Sequence, residues 1–299
     1  MSESEARKGL WAGIGAYGLW GVLALYWKLL DHVTPSEILA HRVFWCFLFS
    51  LIVLRARGTL QPMVAVLRDR KARRAVGLAT LLIGANWFLF IWAVAERRVT
   101  EVSLGYYMNP ILNVVLGAVF LGERLSGLRR VAVAFAAFGV VAFTIGLGYL
   151  PWLSLVLAGT FGFYGLVRKT AAAGPLVGLV IETMFLSPLA VVYVLAVPDE
   201  PGGALLQDGW GTVALLLFAG PITAAPLLLF ATAARRLRYS TLGMLQYIAP
   251  TLQLACAVWA FGEPFTPRHA VTFALVWLGV GLYAWSSRPR RASGARPST

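Results

Sequence analysis

Apolar residues fall in runs of roughly 17 to 22 positions, the length a helix needs to cross a hydrocarbon layer of about 30 Å. Short polar stretches separate the runs, which predict spans at 9–28, 38–54, 75–95, 102–121, 130–148, 150–167, 176–197, 211–234, 240–261 and 269–286. The fifth and sixth are nearly continuous. Two glycines and a proline in Gly146-Leu147-Gly148-Tyr149-Leu150-Pro151 place a turn between them. The expected fold is an all-α integral membrane protein of ten transmembrane helices.

The polar punctuation repeats. Leu104-Gly105, Pro110, Gly122-Glu123 and Gly139 return about 140 positions later as Leu242-Gly243, Pro250, Gly262-Glu263 and Gly279. The Pro to Gly-Glu spacing is the same in both copies, while the apolar residues between them exchange freely. Such a pattern predicts two related halves of five helices, residues 1–148 and 149–287, followed by a basic tail at 288–299.

Charge gives the halves a direction. With the N-terminus inside, the cytoplasmic face collects Arg7 and Lys8, the basic stretch from Arg55 to Arg74, Arg124, Arg129 and Arg130, Arg168 and Lys169, Arg235, Arg236 and Arg238, and the tail arginines. Outside remain Lys28, Arg97, Arg98 and Arg268, with Arg42 inside a span, as the positive-inside rule requires. The loop from Pro198 to Trp210 holds Asp199, Glu200 and Asp208 without Lys or Arg, as an external loop allows. Both termini are expected in the cytoplasm. An odd number of spans per half inverts the second half relative to the first, an architecture used by secondary transporters for alternating access.

Composition agrees: 59% of the 299 residues are hydrophobic and 13% charged, against about a quarter charged in a soluble domain. The net charge of +13 is collected at one face between spans, which argues against nucleic-acid binding and leaves the lipid bilayer and a small-molecule solute as partners. The oligomeric state is not readable. Gly13, Gly15 and Gly18 form a GxGxxG without a preceding strand, and with Gly21 they read as close-packing positions of the first span. Gly159, Gly162 and Gly165 read the same way. Cys46 and Cys256 lie inside spans as ordinary thiols, and His32, His41 and His269 lack ligand spacing, so neither a metal nor a cofactor is indicated.

Polar groups at membrane depth carry the chemistry, because lipid cannot satisfy them. Glu182 lies about six residues into its span, roughly 9 Å at 1.5 Å per residue. It reads either as a partner for a substrate amine or a proton, or as a carboxylate bonded to a neighbouring helix. Arg42 occupies the related place in the first half, seven residues after Pro35 as Glu182 follows Pro175. The inverted halves set the two at opposite depths, roughly 15 Å apart along the normal, so they are gate or coupling candidates rather than a salt bridge. Asn86, Asn109, Asn113, Gln246 and Gln253 supply uncharged donors and acceptors. Pro110 and Pro250 are expected to break their helices and free carbonyls. Aromatic residues such as Tyr17, Trp20, Trp87, Tyr106, Tyr107, Tyr164 and Tyr247 either pack or contribute to an amphipathic pocket.

The segments Asn86 to Val94, Ser103 to Pro110, Gly122-Glu123-Arg124, Phe163 to Lys169 and Leu237 to Gly243 resemble the RarD family, of the EamA group in the drug/metabolite transporter superfamily. The resemblance spans essentially the whole chain. It implies ten helices in two inverted five-helix repeats in a bacterial inner membrane, exporting or exchanging small metabolites or drugs. It also implies a cavity surrounded by helices 1–4 and 6–9, with 5 and 10 peripheral, which makes Trp20, Asn86, Tyr107, Asn109, Tyr164, Glu182 and Gln246 the cavity candidates. Pro264 stands where the first half has Arg124, a departure that puts the second Gly-Glu corner's contacts in doubt. The expected function is a permease and not an enzyme. An integral-membrane enzyme for lipid-linked substrates and a passive channel or scramblase are the alternatives.

Overall fold

The computed structural model describes residues 3–58, 60–96, 98–145, 149–196, 203, 209–260, 262 and 267–286, and every regular element among them is helical. In chain order these are α1 (Glu3–Lys28), α2 (Pro35–Ala56), α3 (Gln61–Arg68), α4 (Arg70–Ala95), α5 (Val99–Leu121), α6 (Gly127–Ile145), α7 (Trp152–Thr170), α8 (Pro175–Ala196), α9 (Trp210–Arg236), α10 (Tyr239–Gln246), α11 (Ile248–Ala260) and α12 (Pro267–Ser286). Gly146 to Gly148, the acidic loop with Asp199, Glu200 and Asp208, Glu263 with Pro264, and the basic tail lie outside the described residues.

Among the described residues seven spans are long and apolar enough to cross a membrane: α1, α2, most of α4 and α5, α8, α9, and α10 with α11 taken together. The other three expected spans correspond to α6, α7 and α12, of 19, 19 and 20 residues. Large apolar side chains stand exposed around the bundle, among them Ile52, Leu81, Val119, Phe120, Leu189 and Leu195. A surface of this kind is stable in hydrocarbon and not in water.

Local chemistry sets the helix ends. Thr34 caps α2, its side chain accepting from the Glu37 N–H at 3.4 Å, and Pro35 occupies the first turn, where no N–H is needed. Gly122 ends α5 in the left-handed region at φ 64°, and Gly262 follows α11 at φ 70°. The two glycines of the repeated Gly-Glu corner therefore share a conformation that a side chain would strain.

The prolines behave differently in the two copies. α5 runs through Pro110 without interruption, so Pro110 is not the break expected of it. α10 instead stops at Gln246 and α11 begins at Ile248. Pro250 has no N–H to give the Gln246 carbonyl four residues earlier, as Pro110 has none to give Tyr106, yet only the second helix is interrupted. The predicted span 240–261 is thus two helices joined at Tyr247. α3 was not expected either; it lies within the basic stretch after α2 and buries Val66.

In the bundle α1 packs along α9 and α11, α2 along α8 and α9, α4 along α7 and α8, α5 along α7 and α10, and α6 along α12. The main core draws Tyr17 from α1, Cys46 from α2, Ile83 from α4, Tyr164 from α7, Phe230 from α9 and Tyr239 from α10. A separate core joins α6 and α12 to α5 and α10 through Val114, Ala136, Met244, Tyr247 and Val276. On α1 a Cβ at Gly13 or Gly21 would press on Leu245 or Leu252, whereas Gly18 and, on α7, Gly159 meet nothing nearby.

Candidate functional site

α7 presents Phe161, Tyr164 and Arg168 at spacings of three and four, which align them on one helical face. α8 presents Gly178 and Glu182 four apart in the same way. Arg168 Nη1 lies 3.3 Å from Glu182 Oε1, and both side chains are 2% exposed. The Tyr164 hydroxyl donates to Glu182 Oε2 at 3.1 Å, and Arg168 Nη2 donates to the Pro175 carbonyl at 2.8 Å. A Cβ at residue 178 would fall onto the Arg168 guanidinium, which would have to shift.

The ion pair does not use all of its hydrogen-bonding capacity. Arg168 Nε and Nη1 and Glu182 Oε1 are buried without a hydrogen-bond partner among the described residues. A buried pair in this state is poor value for stability, since desolvation of both charges is offset only by good geometry and full satisfaction. Its chemistry is that of a group whose charge state matters. Protonating Glu182 would cancel the attraction to Arg168 and leave a buried cation.

Beside this pair lies an aromatic layer. Tyr164 stacks on Phe230 at 6.1 Å and 12°. Phe161 lies 5.3 Å from Phe230 and 5.8 Å from Trp20, and Trp20 lies 5.7 Å from both Tyr17 and Phe230. The rings come from α1, α7 and α9. The Tyr17 hydroxyl is buried among them without a partner among the described residues, which costs free energy unless a ligand or water engages it.

The remaining candidates form separate seams. Asn86 Nδ2 donates to the Leu157 carbonyl at 3.0 Å and to Thr160 Oγ1 at 2.9 Å, tying α4 to α7. Asn113 Nδ2 donates to Gln246 Oε1 at 2.9 Å, tying α5 to α10. Nearby, the Tyr247 hydroxyl donates to the Tyr107 carbonyl at 3.4 Å, and Asn109 is buried with no partner for its Oδ1 among the described residues. At the end of this seam Glu123 accepts from the Tyr239 N–H at 2.5 Å, the Ser240 N–H at 3.0 Å and the Ser240 hydroxyl at 2.6 Å. Its carboxylate thereby caps the first turn of α10, where the helix dipole favours negative charge.

Arg42 on α2 is held elsewhere. Its Nε donates to Thr223 Oγ1 at 3.2 Å, and its guanidinium carbon lies 4.8 Å from the Trp27 ring centroid and 5.7 Å from that of Trp87.

The structure thus brings Trp20, Tyr164 and Glu182 to one region and distributes Asn86, Tyr107, Asn109 and Gln246 over separate helix seams. Arg168, Phe161 and Phe230 were missed by sequence reasoning. Arg168 reads in sequence as a loop charge beside Lys169, yet its spacing of four from Tyr164 on an unbroken helical pattern was the available signal.

Comparison with known proteins decides the family. Residues 7–145 match the model of the EamA-like transporter family. An uncharacterized transporter of Pseudomonas aeruginosa is 44% identical over 97% of this chain and 98% of its own length. Protein RarD of Escherichia coli K12 is 40% identical over 95% of this chain and 96% of its own. The chain belongs to the EamA family. It is a multi-pass membrane transporter of the drug/metabolite type. A second Pseudomonas aeruginosa relative of this EamA protein, named chloramphenicol-sensitive protein RarD, is 31% identical over 94% of each chain. A crystal structure 22% identical in sequence superimposes with a TM-score of 0.72 over 96% of this chain and 99% of its own, which shows a shared fold.

Proposed function

We propose that this EamA protein is a secondary transporter that exports or exchanges a small organic solute across the bacterial inner membrane by alternating access. The observation that carries the reading is the reciprocity of helix packing. Take α1, α2, α4, α5 and α6 as one half (1–148), and α7, α8, α9, α10 with α11, and α12 as the other (149–287). Exchanging the halves turns the α1–α9 contact into α7–α4 and the α5–α7 contact into α11–α1, while α2–α8, α5–α10 and α6–α12 map onto themselves. Contacts that survive the exchange support a two-fold related pair of halves, and the charge distribution supports placing both termini in the cytoplasm.

In this reading the halves rock about a centre lined by Trp20 and Tyr164, with Asn86, Tyr107, Asn109 and Gln246 along the seams. Glu182 is the coupling carboxylate. Arg168 already pairs with it, so a proton or a substrate cation that engages Glu182 does so at the expense of that pair. The chloramphenicol in a relative's name makes amphenicols one solute class to test.

Purified protein in liposomes, assayed with and without a pH gradient against a panel of amines, amino acids and amphenicols, tests the proposal. A carrier saturates and shows counterflow, whereas a channel or scramblase gives flux that rises without saturation. Transport that is saturable yet has the same pH response in Glu182→Gln would remove the coupling role and leave the carrier. Chemical conversion of a lipid-linked substrate without net flux would replace the carrier by an enzyme.

A further inference from the structure

Two arginines of this chain sit between pairs of tryptophans. Arg98 lies 5.5 Å from the Trp92 ring centroid and 5.0 Å from that of Trp152, and its Nη2 pairs with Glu101 at 2.6 Å. Arg42 lies between Trp27 and Trp87 at 4.8 and 5.7 Å, and has no carboxylate within ion-pair distance among the described residues. The first site holds two aromatic walls, a guanidinium and an acid. The second holds the walls and the guanidinium.

Among the described residues no acid is placed to supply the missing charge at Arg42. Thr223 takes Nε and leaves the two terminal nitrogens without a protein acceptor among the described residues. They are not sealed off, unlike Arg168 Nη1, which is fully buried. Glu37, the acid on the same helix, lies 3.8 Å from His41 instead, and the Trp45 indole N–H donates to His41 Nδ1 at 3.2 Å. A cation within a membrane span without a counter-ion is expensive, and such groups mark solute pathways.

Building on the carrier reading, we propose that Arg42 recognises a carboxylate of the transported solute, so that the solute is an organic anion or a zwitterion with a flat apolar body. The free edge of a guanidinium offers parallel N–H donors that match a carboxylate in bidentate fashion. A single guanidinium balances one carboxylate charge. The indoles of Trp27 and Trp87, from α1 and α4, flank the same spot and would cover an apolar face attached to that carboxylate.

The test compares acids with their uncharged amides on detergent-purified protein: phenylacetate against phenylacetamide, and phenylalanine against phenylalaninamide, read by tryptophan fluorescence and thermal shift. At least one acid is expected to bind at millimolar or lower concentration, more than 10-fold tighter than its amide. Arg42→Lys, which keeps the charge and loses the fork, weakens that acid about 10-fold, and Arg42→Gln abolishes the preference. Thr223→Val keeps the cation and serves where Arg42→Gln proves unstable; releasing Nε weakens the acid several-fold and leaves the amide unchanged. Equal binding of acid and amide, retention of the preference in Arg42→Gln, or failure of every acid to bind overturns the inference. Saturable counterflow of a solute without a carboxylate would overturn it while leaving the carrier intact; loss of saturable transport altogether would instead remove the carrier reading.

Discussion

Glu182 and Arg168 meet at 3.3 Å inside the α7–α8 hairpin, each 2% exposed. The pair is internal to one half of the chain and closes against the Tyr164 hydroxyl, so its first consequence is for stability.

Removing one partner strands a charge in the bundle. Arg168→Leu is expected to destabilise by about 3–5 kcal/mol, and Glu182→Leu by a similar amount. The double variant with both leucines recovers most of that loss. Thermal unfolding in detergent around the full double-mutant cycle measures the coupling, and additive single losses would show that the pair is not energetically linked.

Gly178→Ala places a methyl where the Arg168 guanidinium lies. The expected result resembles Arg168→Leu in melting temperature, and shortening the arginine in Gly178→Ala/Arg168→Ala should make the alanine at 178 nearly neutral. An unchanged melting temperature in Gly178→Ala alone would contradict the packing described.

Much of this was legible in the sequence. The apolar runs located the seven helices that, among the described residues, are long and apolar enough to cross a membrane, because such a span leaves a contiguous signature, and Glu182 stood out as a carboxylate in an apolar run. Its partner did not, because Arg168 lies in the last turn of α7 beside Lys169 and looks the same in sequence as a charge at the membrane surface. α3 hid for a related reason: eight residues between arginines carry too short an apolar stripe to distinguish a helix from a loop. The unequal prolines were also unreadable, since the same residue at related positions leaves α5 whole and divides the helix before Pro250. The missing N–H is common to both positions, so the proline alone does not set the difference.

Glu123→Ala removes the acceptor for two backbone N–H groups and a hydroxyl at the start of α10. A loss of about 1–2 kcal/mol is expected from the cap, with faster amide exchange confined to Tyr239, Ser240 and the turn that follows. Glu123→Gln keeps an acceptor and should lose less. Hydrogen exchange on both variants distinguishes a local cap from a global defect.

Phe230→Ala opens the aromatic layer that Tyr17, Trp20, Phe161 and Tyr164 form around it. A cost of about 3–5 kcal/mol is expected for such a truncation, and Phe230→Leu should cost clearly less. Near-ultraviolet dichroism would report the loss of ring ordering, and an unchanged spectrum in Phe230→Ala would argue against a single packed layer.

The joint at Tyr247 gives the proposed carrier two unequal levers. One helix is a rod from Val99 to Leu121; its partner in the sequence echo is a short stub, pinned by Glu123 and jointed to a longer arm. Where the proposed carrier bends, the bend is expected at Tyr247 and not along the rod, so the two limbs answer the same rocking motion differently.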